Sequence, residues 1–207
     1  MYLYGASGHA KVIIEILENI GVNINGLFDD NLEINSLLGY PVLGAYQSDL
    51  QLEEPLIISI GNNILRKKIC ELYNFKSGTA FHQTARISSR ASIEHGTVIM
   101  GNSIINSQTK IGKHVIINTS SSIDHDCIIG DYVHISPNAT LCGGVLIGEG
   151  VHVGAGAVII PGVCIGKWST VGAGSVVIKD IPEYATVVGN PGKIISINKP
   201  SISILTQ

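Results

Sequence analysis

The sequence predicts a small α/β domain followed by an all-β parallel solenoid of triangular cross-section. Three observations carry that prediction. An aliphatic residue recurs at every sixth position over nearly half the chain, a small or β-branched residue follows it at a fixed offset, and the N-terminal segment instead reads as strand–turn–helix units.

The repeat comes first because it fixes the architecture. From Ile87, Ile93 and Ile99 through Val171 and Val177, sixteen consecutive hexads carry an aliphatic residue in register, with no insertion. Four residues after each one stands a small or β-branched residue, from Ala91 and Thr97 through Ser175 to Ile181. A period of six fits neither an amphipathic helix nor a plain alternating strand. It fits a prism in which each hexad supplies a short strand and a corner, and three hexads close a coil. Gly, Asn and Asp concentrate in GDY, SPNA, CGG, GEG and GAG, where corners need φ > 0. Coils stacked at strand spacing rise about 4.8 Å each.

The first part of the chain follows a different pattern. YLYGASGHAKVIIEILENI reads as strand, glycine turn and helix, with Val12, Ile13, Ile16 and Leu17 on one face. NGLFDDN reads as a second strand ending in two acids, and PLIISIGNNILRKKICELY repeats strand, turn and helix. Such units predict a small parallel α/β domain of Rossmann-like, nucleotide-binding type. The expected divisions are 1–80 for this domain, 81–182 for the β-helix and 183–207 for a C-terminal extension carrying VVGNPGK.

Composition narrows the function classes. Hydrophobic residues make up 45% of the 207 positions and charged ones 14%, which suffices for a core. No apolar run approaches the ~18 residues of a membrane span, and MYLYGASGHAK lacks the form of a secretory signal, so the expected location is cytoplasmic. A net charge of −3 argues against nucleic acid; the basic cluster at 66–68 reads as a solvated helix face. Cys70, Cys127, Cys142 and Cys164 form no CxxC pair and read as reduced packing residues rather than metal ligands.

Candidate chemistry lies at two places. GASGH is not GxGxxG, so a dinucleotide cofactor is poorly supported, yet it sets backbone N–H groups at a helix N-terminus suited to a phosphate or diphosphate. Asp29 and Asp30 can accept hydrogen bonds from a base or ribose, or form a solvated acidic loop. On the prism, most histidines read as solvated side chains. His125 stands apart because Asp124 and Asp126 flank it, and a carboxylate on one imidazole nitrogen raises basicity at the other. Gly143 follows 18 residues later, directly above it in the next coil, leaving space and a backbone N–H for an oxyanion. His152 stacks above His134 on a face, and Ala173 above Ala155 at another corner, so the two corners meet only between subunits of a closed assembly.

YGASGH, FDD, IGNNxxRKK, INTSSSIDHDCIIGDYVHIS, the hexads and VVGNPGK together closely resemble the bacterial nucleotide-sugar acetyltransferases of the UDP-bacillosamine and sialic-acid O-acetyltransferase type. The resemblance implies a left-handed β-helix and a homotrimer with sites at subunit interfaces. It also implies acetyl-CoA as co-substrate, no metal, and the 4-amino group of a nucleotide-linked 4-amino-4,6-dideoxy sugar as acceptor, UDP-linked in the first instance. It makes His125 the general base and Asp126 its carboxylate partner, where the family often has Glu. His134, Gly143, Ala155 and Ala173 match acetyl-CoA contacts, and Ser7, Gly8, His9, Asp29, Asp30 and Gly61 match the nucleotide-sugar site. Three other readings stay open: a sugar O-acetyltransferase, a metal-dependent lyase of the γ-carbonic-anhydrase kind, and a structural β-helix without activity.

Overall fold

The computed structural model describes residues 1–47, 50 and 52–198. At the N-terminus β1 (Tyr2–Tyr4), α1 (Gly8–Asn19), β2 (Gly26–Phe28), the short pair β3 (Ser36–Leu37) and β4 (Tyr40–Pro41), β5 (Leu56–Ile58) and α2 (Asn63–Leu72) follow in order. The sheet is parallel with order β2-β1-β5, as expected of strand–helix–strand units. The buried stripe of α1 is Ala10, Ile13, Ile14, Ile16 and Leu17; Val12, expected on it, is 37% exposed. Ile14 takes that place because the apolar face of α1 is wide, covering the sheet on one side and the solenoid on the other.

The solenoid opens with β6 (Ala80–Phe81), one hexad before the aliphatic series begins at Ile87. Sixteen two-residue strands, β7 to β22, then recur every six residues from Arg86–Ile87 to Val176–Val177. They stack into three parallel sheets, and the register is 18 residues: Ile105 pairs with Ile87 below and Ile123 above. The second residue of each strand points inward, and the small residue just before the strand is buried beside it. The corner therefore lies one step earlier than the small residue. At 14 successive corners, from Gly96 to Gly174, the residue ahead of the small one has φ between +52° and +76°. Eight of these are not glycine, among them Asp126, Tyr132 and Trp168, so corner strain is carried by the coil as a whole.

The hexad register ends after Val177. Ile165 bridges to Ile181, and Thr170–Val171 pairs with Thr186–Val187, an offset of 16 rather than 18. Ile181 thus fills an inward aliphatic position instead of the small position its spacing predicts. The strand β23 (Ala185–Val188) and an antiparallel β24 (Lys193–Ile197) close the top of the eight-stranded sheet.

The α/β unit packs on the lower half of that same sheet. Its outward positions are Ala80, Val98 and Ile116 below, all buried in one cluster with α1, and His134, His152 and Thr170 above. Along this column the outward side chains change from apolar to imidazole above Ile116, where the cluster with α1 ends.

Candidate active site

His125 projects from a corner beside the six-stranded sheet. Its Nδ1 lies 2.7 Å from Asp126 Oδ2, and its backbone N–H donates to Asp124 Oδ1 at 2.8 Å. Hydrogen bonding to Asp126, then the charge of Asp124, raises the His125 pKa above its ordinary value. Asp126 occupies the left-handed corner at φ +60°, a conformation that Asp tolerates. Gly143 lies directly above: its successor Gly144 donates to the His125 carbonyl at 2.9 Å. A Cβ on Gly143 would stand 2.6 Å from His125 Cε1, so only glycine leaves the ring in place. The Gly143 N–H has no protein acceptor among the described residues. In the single chain the His125 and Asp126 side chains are 60% and 62% exposed.

The residues expected at a nucleotide-sugar site gather where α1 and α2 begin. Ser7 caps α1 by backbone position alone, with no side-chain bond to the helix, and the space around Gly8 is open. Asp29 spends both carboxylate oxygens on backbone N–H groups, of Ala6 at 2.6 Å and Asn31 at 2.9 Å, and so fixes the GASGH turn. Asp30 accepts from the Tyr4 hydroxyl at 2.9 Å. The Gly61 carbonyl lies 3.3 Å from His134 Nδ1, while His134 Nε2 lies 3.1 Å from Asn118 Nδ2. His9 and His134 are 6.3 Å apart by centroid, and His152 stacks parallel on His134 at 5.0 Å. Burial, with the nearby Arg66 charge, brings His9 down to about 4; burial, with the His152 and Arg66 charges, brings His134 down to about 3. These rings are neutral near pH 7. Among the described residues the Nε2 of His9 is buried without a partner.

Within one chain the structure groups His134 with His9 and Gly61, not with His125. Ala155 and Ala173 stack at a third location, the opposite edge of the six-stranded sheet, with Gly174 donating to the Ala155 carbonyl at 2.8 Å. The sequence reading missed Arg66 and Asn118. Arg66, expected on a solvated face, is 1% exposed. It donates to the carbonyls of His114 (2.8 Å), Ile60 (2.9 Å) and Tyr132 (2.7 Å) and to Asn63 Oδ1 (2.8 Å), bolting α2 to the prism. The adjacent Lys67 pairs with Glu149 and lies over Tyr132 and Trp168. His114, grouped with the solvated histidines, is likewise buried. Only the docking of α2 distinguishes these side chains from surface ones. Among the described residues no cluster of three or more His, Cys, Asp or Glu can hold a metal ion, and no helix is long and apolar enough to cross a membrane.

Residues 1–73 match the PglD N-terminal domain, and residues 108–143 and 144–179 match the bacterial transferase hexapeptide (six repeats). The fold and these two matches define the class, a left-handed β-helix transferase carrying an α/β domain. The solved structure of PerB from Caulobacter crescentus, in complex with CoA and GDP-perosamine, is 36% identical with a TM-score of 0.88, covering 94% of this chain and 96% of that one. The acetyltransferase domain of PglB from Neisseria gonorrhoeae is 34% identical, TM-score 0.87, over 94% of this chain and 98% of that one. WeeI from Acinetobacter baumannii is 31% identical, TM-score 0.87, with the same coverage. The chain belongs to this family of CoA-dependent nucleotide-sugar acetyltransferases. Uncharacterized protein L142 of Acanthamoeba polyphaga mimivirus is 35% identical over 72 residues, of which this chain spans only 15% of that protein's length.

Proposed function

We propose that the chain transfers an acetyl group from acetyl-CoA to the 4-amino group of a nucleotide-linked 4-amino-4,6-dideoxy sugar, with His125 as general base. The observation that carries this reading is the Asp126–His125 pair beneath Gly143. Asp126 holds the proton on Nδ1, so Nε2 is the free base. As the amine nitrogen bonds to the acetyl carbonyl carbon, Nε2 takes the amine proton, and the Gly143 N–H receives the developing oxyanion. When the carbon–sulfur bond breaks, His125 returns that proton to the departing sulfur. Base catalysis of this kind supplies about 10²–10⁴-fold, and positioning of both substrates much of the rest. Ser7, Gly8, His9, Asp30 and Gly61 line the crevice proposed for the nucleotide sugar, whose diphosphate suits the two helix N-termini. Asp29 acts there by shaping the turn.

The assembly proposed is a homotrimer, with the enzyme working in the cytoplasm. The His125 corner and the Ala155–Ala173 corner border opposite edges of one sheet. Turning that sheet toward a threefold axis sets the first corner of one copy against the second corner of its neighbour, close to the neighbour's Asn118, His134 and crevice. CoA would then lie between copies, touching Gly143 on one side and Ala155, Ala173 and His134 on the other.

An acceptor screen tests the reading. UDP-, GDP- and dTDP-linked 4-amino-4,6-dideoxy sugars and their 4-hydroxy counterparts are supplied with acetyl-CoA, and release of CoA thiol is followed. The UDP-linked amine is the expectation from sequence, and a GDP-linked one is included because the similar PerB was solved in complex with GDP-perosamine. Turnover confined to hydroxyl acceptors would instead establish an O-acetyltransferase.

A further inference from the structure

The corner that carries His125 contains a second carboxylate, and its bonds run to the coil below. Asp124 Oδ1 accepts two hydrogen bonds, from Asn106 Nδ2 at 2.9 Å and from the His125 backbone N–H at 2.8 Å. Asn106 stands 18 residues earlier, at the equivalent position of the preceding coil, where its own N–H donates to the Ile123 carbonyl at 2.9 Å. The Asp124 backbone is pinned from both sides. Its carbonyl accepts from Thr109 Oγ1 at 2.7 Å, and its N–H donates to Leu141 in the coil above at 3.0 Å.

We propose that Asp124, held by Asn106, is a positioning residue that fixes the His125 backbone and sets the basicity of its imidazole together with Asp126. This rests on the reading of His125 as the base. An amide at position 106 can donate to a carboxylate but carries no charge, so it holds Asp124 in place and favours its ionised form. Consistent with that, Asn106 and then the His125 N–H lower the Asp124 pKa. The titratable groups in contact with the corner are Asp124, Asp126 and the Cys127 thiol, whose Sγ lies 3.7 Å from the His125 carbonyl oxygen. Burial, with a smaller contribution from the Asp124 charge, holds the Cys127 thiol above its ordinary range. The two carboxylates divide the work: Asp126 grips the ring at Nδ1, and Asp124 grips the chain to which the ring is attached.

The full-length enzyme carrying Asp124→Asn, Asn106→Leu or both is assayed for kcat and KM across pH. The His125 ring is titrated separately by proton NMR, its signal assigned by its absence in His125→Gln. Removing the Asp124 charge lowers the His125 pKa, so the acidic limb of kcat/KM moves to lower pH. At the plateau kcat falls about tenfold while both KM values stay within about twofold, because a weaker, less fixed base affects the chemical step. Asn106→Leu acts in the same direction by about threefold and adds nothing once Asp124 is already Asn, as expected of residues acting in series. Asn106→Gln, which restores an amide, recovers part of the loss. An unchanged His125 titration in Asp124→Asn, or an Asn106→Leu effect that persists in the Asp124→Asn background, overturns the proposal. Should His125→Gln itself keep full activity, the base assignment fails, and the NMR titration still decides whether Asp124 governs that ring.

Discussion

Asp126 sits at a left-handed corner, which makes its replacement unusually informative. Asn accepts that conformation as readily as Asp, so Asp126→Asn changes charge and acceptor strength without adding backbone strain. The hydrogen bond to Asp126 is the largest influence raising the His125 pKa. Without it, that pKa falls toward its ordinary value. The base must be neutral to act, so the wild-type rate is lost as pH falls through the raised pKa, and in Asp126→Asn that loss occurs at lower pH. A kcat/KM profile from pH 5 to 9 should show this shift together with a drop in plateau kcat of about tenfold or more. At this scale the corner was readable in the sequence, because 18-residue arithmetic alone puts Gly143 over His125. Arg66 and His114 were not readable. Nothing local marks a buried arginine within an Arg-Lys-Lys run; its burial depends on the carbonyls of Tyr132 and His114, distant in sequence.

The helix α2 is the element on which both halves of the molecule depend. The Gly61 carbonyl just ahead of it lies 3.3 Å from His134 Nδ1, Asn63 donates to the Gly150 and Val151 carbonyls at 3.1 Å, and Arg66 reaches three further carbonyls of the prism. Burial brings the Arg66 pKa down to about 9, so the guanidinium stays charged at neutral pH. Among the described residues no carboxylate pairs with it; backbone carbonyls and the Asn63 side-chain oxygen surround the charge. A lysine cannot serve acceptors spread over so many directions. Arg66→Lys should therefore cost about 2–4 kcal/mol in thermal or denaturant unfolding, since it leaves buried carbonyls unpaired. It should also raise KM for the sugar more than KM for acetyl-CoA. Among the elements, β7 to β22 follow directly from the hexads. The strand β6 lies at the expected boundary but outside the aliphatic series, because Phe81 stands where an aliphatic residue would. The shortened top coil was missed because Ile181 satisfies the expected spacing by coincidence.

For the whole molecule, the two proposed half-sites lie on opposite edges of one sheet, and the proposed trimer is what unites them. Mixed assemblies test this. His125→Gln removes the base, and Gly8→Phe fills the crevice from a position where a side chain has open space. Each variant alone should be inactive. Co-expressed in equal amounts with random mixing, about a quarter of the sites pair an intact His125 with an intact neighbouring crevice. Activity near that fraction, in particles of three chains by analytical ultracentrifugation, is the expected outcome; zero activity would show that each chain holds its own complete site. The architecture was almost wholly legible because a solenoid writes each coil separately into the sequence. The site was half legible, since stacking can be counted along a chain but docking cannot.

The 18-residue register also governs which changes of length the protein can absorb. Inserting or deleting a whole coil leaves every column in line. A change of six preserves the buried core yet carries each later column to the next edge of the triangle, parting Gly143 from His125 if it falls between them. Any other change throws inward residues out of the core unless the residues that follow are placed to compensate, as Ile181 and Val187 are. Among the described residues the coil spacing departs from 18 once, in the two-residue shortening after Val177, and it lies beyond Ala173, past the last residue of the candidate site. Below that point the spacing works as a reading frame, and length variation is admissible only above it or in whole coils.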